Sequence, residues 1–239
     1  MANIILHKAE TRGKVSLDWL SSAQTFSFSS YYNPERMQFG ALRVFNDDVV
    51  AGGRGFGRHP HDNMEIISIP LEGSLKHEDN LGNTVVTDTG DVQVMSTGTG
   101  IFHSEHNYSA DKPAKFLQIW LYPNKLNVTP RYEQVKLDAD KQDNQLQVFI
   151  TPQAQEGQTW IYQDAWFSMG RFDKNKQVDY QLHKEGSGVY LFVINGAFTV
   201  DGLRLDARDG VGISDIDKVS FTAQEQGATI LVIEMPMEV

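Results

Sequence analysis

The chain has 239 residues, 40% of them hydrophobic, and 31 acidic against 21 basic side chains give it a formal net charge of −10. Length and a mean hydropathy of −0.38 fit a globular chain of one large domain or two ordinary ones, and the acidity excludes phosphate-backbone binding as the main activity. With no cysteine, disulfides, thiolate nucleophiles and cysteine-held zinc or iron–sulfur centres are excluded as well, so any metal must rely on His, Asp or Glu.

The opening run Ile4-Ile5-Leu6 is too short for a signal peptide, and no stretch approaches the length of a membrane span; a cytoplasmic location is expected. In Thr25-Phe26-Ser27-Phe28-Ser29 the alternation predicts a strand, and Asn33-Pro34 a turn. A strand over 41–45 is expected to end at Asn46-Asp47-Asp48. Between about 50 and 122 short strands recur at 66–71, 75–78, 85–86, 92–95, 101–106 and 116–122, parted by Gly/Asp turns. Residues 123–187 read as a connector with edge elements, on account of Pro123, Pro130, Pro152 and the polar run Lys141-Gln142-Asp143-Asn144-Gln145. The strand rhythm returns at 189–194, 197–200, 203–205, 219–223 and 229–234, with Asn195-Gly196 and Asp201-Gly202 as hairpin signals. Many short strands and almost no helical periodicity predict an all-β chain of barrels or sandwiches.

The two series resemble one another. Leu71-Glu72-Gly73 matches Ile194-Asn195-Gly196, and Gly90-Asp91 matches Asp209-Gly210, as in an internal duplication. The division expected is 1–130 and 131–239.

One half alone carries a concentration of ligands. His59-Pro60-His61 and His103-Ser104-Glu105 each have i, i+2 spacing, which puts both side chains of a pair on one face of a strand. Two such strands facing each other bring three imidazoles and a carboxylate to one point, a donor set that suits a divalent transition metal. The matching stretch of the second half holds only His183, so that half is expected to be metal-free. His106 should point to the opposite face from His103. His77, in Lys76-His77-Glu78, is expected on a solvated strand, and His7 and His183 are expected not to be ligands. Glu65 is expected as a hydrogen-bond partner near the metal or in the core. Phe26, Phe28, Tyr31, Tyr32, Phe56, Phe102, Trp120 and Tyr122 either shape a pocket for a flat ring or fill the core.

Gly53-x5-His59-x-His61-x3-Glu65-x7-Gly73 and Gly98-x-Gly100-x2-His103-x3-Asn107 resemble the two cupin motifs. With Phe26-Ser27-Phe28, Tyr31-Tyr32-Asn33-Pro34, Gly55-Phe56-Gly57, Gln118-Ile119-Trp120 and Thr129-Pro130-Arg131-Tyr132 around them, the chain resembles the pirin family in its bacterial branch, densely over 15–135. One departure is Gln24, where bacterial relatives often have His. The resemblance implies a bicupin of two antiparallel β-barrels, with one metal in the N-terminal barrel on His59, His61, His103 and Glu105. Iron(II) comes first, with Mn, Co, Ni, Cu or Zn as substitutes. It also implies quercetin 2,3-dioxygenase activity on a flavonol-like substrate with dioxygen, Glu105 serving as proton acceptor. The alternative is a metal-containing regulatory or redox-sensing protein that acts through a protein partner.

Overall fold

The computed structural model describes residues 2–238; Met1 and Val239, the outer ends of the expected division, lie outside them. The strands are β1 (Asn3–His7), β2 (Gly13–Ser16), β3 (Leu20–Gln24), β4 (Leu42–Val50), β5 (Gly55–His61) and β6 (Glu65–Glu72). Next come β7 (Ser74–Asp79), β8 (Thr84–Asp88), β9 (Asp91–Ser96), β10 (Ile101–Asn107), β11 (Ala114–Leu121) and β12 (Arg131–Lys136). The second series runs β13 (Gln147–Thr151), β14 (Thr159–Trp160), β15 (Trp166–Phe172), β16 (Gln177–Gln181) and β17 (Ser187–Asn195). It closes with β18 (Ala197–Val200), β19 (Leu203–Asp206), β20 (Gly210–Ser214), β21 (Lys218–Ala223) and β22 (Ala228–Pro236). Among the described residues helix is confined to two single 3₁₀ turns, Ala9–Thr11 and Asp140–Gln142. Among the described residues no helix is long and apolar enough to cross a membrane.

The all-β bicupin expectation holds. Each unit sets a seven-stranded sheet against a four-stranded one. The first pairs β12-β9-β6-β11-β4-β3-β2 with β5-β10-β7-β8, and the second pairs β1-β20-β17-β22-β15-β13-β14 with β16-β21-β18-β19. Strand for strand, β6, β9 and β11 stand where β17, β20 and β22 stand, and β10 stands where β21 does. Gly73 and Gly196 make the matching β6–β7 and β17–β18 turns with φ of 78° and 74°, a region open to glycine without steric penalty. The units exchange their outer strands. β1 pairs with β20 in the second sheet, while β12 pairs with β9 in the first, so the strand pairing crosses the division expected at 130/131 twice.

The seven-stranded sheets pack back to back. Phe45, Ile67, Ile69, Val92, Val94, Leu117, Ile119 and Leu121 of the first meet Phe149, Phe167, Tyr190, Phe192, Leu231 and Ile233 of the second in one buried cluster. Phe45 lies at its centre, its ring centroid 4.5 Å from Phe192 and 5.5 Å from Tyr190. The interior of the second unit is filled in turn by Phe172, Leu191, Val193, Phe198, Val200, Val219 and Phe221.

Three local expectations are corrected. Phe26-Ser27-Phe28 is not strand. Ser27 Oγ sits 2.8 Å from both the amide N and the carbonyl O of Asn33 and holds a bend; Phe26 is buried near His7 and Tyr190, whereas Phe28 packs edge-on against Trp120. Asn46-Asp47-Asp48 does not end β4, because Asn46 and Asp48 face inward in mid-strand and are buried. The stretch 123–187 contributes the expected edge strands β12, β14 and β16, but also β13 and β15, which lie inside the second seven-stranded sheet.

Glu65 begins β6 in the phase of Ile67 and Ile69, facing the other unit rather than the ligand strands. Its Oε2 accepts a 2.6 Å hydrogen bond from Ser96 Oγ. Burial pushes its pKa up to about 7, against the opposing pull of that hydroxyl and the Arg131 charge.

This packing makes two stability measurements informative. Phe45→Ala should cost about 3–5 kcal/mol of unfolding free energy, whereas the half-exposed Phe102→Ala should shift it by under about 0.5 kcal/mol; urea denaturation reads both. For Glu65, the folded chain keeps a proton that the unfolded chain releases near the ordinary value of 4.5. Stability from this group is therefore full below about pH 4.5 and declines until about pH 7. Replacing it by Glu65→Gln should flatten that slope and raise stability at pH 8 by on the order of 2 kcal/mol.

Candidate metal centre

The inner face of the four-stranded sheet explains the grouping of donors. β10 runs between β5 and β7, with His103 opposite His59 on one side and opposite Asp79 on the other. Glu105, two residues on, lies opposite His77. A bulge in β5 shifts the register between His103 and Glu105, a common device for re-aiming side chains. Period-two alternation therefore puts Ile101, His103 and Glu105 inward and sends Phe102 and His106 outward.

The three imidazoles of His59, His61 and His103 converge, with ring centroids 4.5 to 4.9 Å apart and one ligand nitrogen from each within 4.8 Å of the others. Glu105 belongs to a second, overlapping group with His77 and His103. Burial, together with the neighbouring imidazoles, lowers both His61 and His103 to about 4; Glu105 pulls the other way. Both rings are thus neutral near pH 7, the form that can ligate a metal. His59 Nδ1 lies 2.7 Å from the Gly57 carbonyl oxygen. A carbonyl can only accept, so Nδ1 donates its proton and Nε2 is left with a free lone pair. His103 Nε2 is buried with no hydrogen-bond partner, an arrangement that is costly for a ring nitrogen unless something coordinates it.

Glu105 is held from the opposite sheet. Gln93 Nε2 donates to its Oε1 and Gln118 Nε2 to its Oε2, each at 2.9 Å. Ser68 Oγ lies 3.2 Å from Oε1. Gln93 can donate there because its own oxygen faces the hydroxyls of Thr87 and Tyr132, both at 3.3 Å. Burial alone pushes the Glu105 carboxyl up. The adjoining imidazoles of His103 and His77 and the donors from Gln93 and Ser68 outweigh it, so the group lies below its ordinary value.

These partners form one register row. Gln24, Asn46, Gln118, Ser68 and Gln93 are successive cross-strand partners over β3, β4, β11, β6 and β9. Sequence reading missed Asn46, Asp48, Ser68, Gln93 and Gln118. The signal for three of them is a single polar residue set among apolar neighbours within a strand, as Ser68 in β6, Gln93 in β9 and Gln118 in β11. His77 is corrected outright: it is fully buried rather than solvated, since β7 alternates Leu75 and His77 inward with Lys76 and Glu78 outward.

A cavity of about 410 Å³ opens over the donors, within the usual range for small-molecule sites. His59, His61, His103 and Glu105 line it on one side, Asn46, Asp48 and Gln118 on another. Of the aromatics weighed from sequence, Phe28, Phe56 and Trp120 line it, and Trp19 joins them. Tyr32 and Phe102 are exposed. The arrangement sets a group of metal-ligand donors at the base of a cavity walled by aromatic rings.

Comparison with known proteins agrees with the geometry. Residues 6–121 match the family description Pirin, and residues 148–235 match that of a quercetinase C-terminal cupin domain. The chain is 39% identical over 233 residues to an Escherichia coli protein named quercetin 2,3-dioxygenase, spanning 98% of this chain and 99% of that one. It is 38% identical to a pirin-like protein of Caulobacter vibrioides over 90% of this chain and 92% of that one. The crystal structure of YhhW from Escherichia coli superposes with a TM-score of 0.94 at 39% identity, covering 99% of both chains. That of the bacterial pirin YhhW in complex with nickel(II) superposes at 0.93 and 38% identity, covering 99% of this chain and 100% of that one. Matched along both units in fold and in sequence, the chain belongs to the pirin family.

Proposed function

We propose that the chain binds one divalent transition metal, iron(II) in the first place, on His59, His61, His103 and Glu105, and cleaves a flavonol such as quercetin with dioxygen. The observation that carries this reading is the buried, unpartnered His103 Nε2 beside two further imidazoles and an anionic carboxylate at the base of an aromatic-lined cavity. The nickel(II) complex of the YhhW protein supports a divalent ion in this family. When bound, the metal supplies Lewis-acid and redox chemistry next to the substrate.

The remaining work falls to side chains. A carboxylate offers about four lone-pair sites. Gln93, Gln118 and Ser68 lie against three in Glu105, which leaves one to meet the metal or to take the proton of the flavonol hydroxyl. Trp120, in edge contact with both His61 and Phe28, and Phe56, in edge contact with Trp19, wall a slot for a planar ring. Asn46 and Asp48, each with a buried side-chain oxygen that lacks a partner, accept ring hydroxyls on the far side.

Untagged protein loaded in turn with iron, manganese, cobalt, nickel and copper, then mixed with quercetin in air, tests the reading. Flavonol absorbance should fall with matching oxygen uptake and carbon monoxide release. No turnover with any loaded metal would sink it in favour of the regulatory alternative. His103→Ala should lower metal content and turnover by more than about 100-fold, while His106→Ala should stay within about twofold of wild type.

A further inference from the structure

Two groups of donors overlap at His103, one with His59 and His61 and the other with His77 and Glu105. Hydrogen-bond bookkeeping separates them. The Asp79 side chain is shielded from solvent. Its Oδ1 accepts from the amides of Leu81 and Asn83 at 2.9 and 3.0 Å, and its Oδ2 accepts from Asn83 Nδ2 at 2.8 Å. His77 Nε2 reaches the same Oδ2 at 2.9 Å. A carboxylate so surrounded by donors only accepts, so His77 Nε2 carries the ring proton. In the neutral ring His77 Nδ1 is then bare. It lies 3.4 Å from His103 Nδ1, the longest link of the series, and can only accept there. His103 Nδ1 must donate, and the lone pair of His103 is left on Nε2, the atom with no partner in the protein. Tyr132 holds the His77 ring in place, its centroid 4.6 Å away at a 31° tilt.

We infer that Asp79 and His77 form a relay that sets the tautomer of His103 and presents its Nε2 to the metal, making His77 a positioning residue and not a ligand. Both His77 nitrogens are committed, one to Asp79 and one to His103. His59 reaches the same state through a single contact with the Gly57 carbonyl. The inference rests on the proposed metal site at His103, but the tautomers can be measured without any metal.

Long-range ¹H–¹⁵N spectra of the full chain labelled at histidine, metal-free at about pH 8 where unperturbed imidazoles are neutral, should report Nε2–H for His77 and Nδ1–H for His103. An Nε2–H tautomer for His103 would overturn the relay whatever the metal does. Nickel titration then reads its consequence. His77→Leu should weaken nickel binding about 10- to 100-fold. In His77→Asn, a side-chain oxygen stands near the place of Nδ1, and most of the affinity should return. Asp79→Asn tests the outer link and should shift the His77 tautomer population in the same spectra. Unchanged nickel affinity in a folded His77→Leu, or ¹¹³Cd coupling to a His77 nitrogen in cadmium-loaded protein, would overturn the inference. If wild type itself takes up no nickel, the metal reading fails, and the tautomer spectra still decide the relay.

Discussion

The two seven-stranded sheets share one apolar face, and the architecture depends on that packing. Each strand must commit alternate residues to it: Leu117, Ile119 and Leu121 of β11 go there, as do Ile67 and Ile69 of β6. Burying a large apolar side chain fully contributes about 1.5–3 kcal/mol, and this core draws on both units at once. A large share of the apolar burial therefore lies between the units. The opposite residues, Gln118 and Trp120 on β11 or Ser68 on β6, are released for a polar cavity.

The cavity has its own cost. A buried carboxylate, buried amides and bare imidazoles are tolerated only when partners are complete. The row from Gln24 to Gln93 supplies donors to Glu105 from the sheet opposite its own strand. In the second unit the equivalent strands carry Val178 and Tyr180 on β16, Phe198 and Val200 on β18, and Val219 and Phe221 on β21, all packed together. One fold thus serves as a lined site in one half and as a filled core in the other. Backbone architecture does not itself select function; the inward residues do.

Much of this was legible in the chain. Strand spacing with Gly/Asp turns marked an all-β duplication, and the two i, i+2 pairs marked which strands carry donors. Composition misled at Asn46-Asp47-Asp48, which resembles a turn but continues β4, since Asn46 and Asp48 keep the phase of Val44 and Val50 and point into the cavity. It misled again at His77, whose charged neighbours Lys76 and Glu78 lie on the outer face while the imidazole lies inside.

The sequence by itself determined phase. Residues two apart on a strand share a face, so the grouping of His59 with His61 and of His103 with Glu105 follows from spacing alone. Only the tertiary structure decided who stands across from whom. Register between β10 and β7, or along the row from β3 to β9, is set by pairing between segments far apart in the chain and by packing of the whole sheet. For that reason Asp79 and His77 behind His103, and Gln93 and Gln118 around Glu105, emerged only once the sheets were closed upon one another.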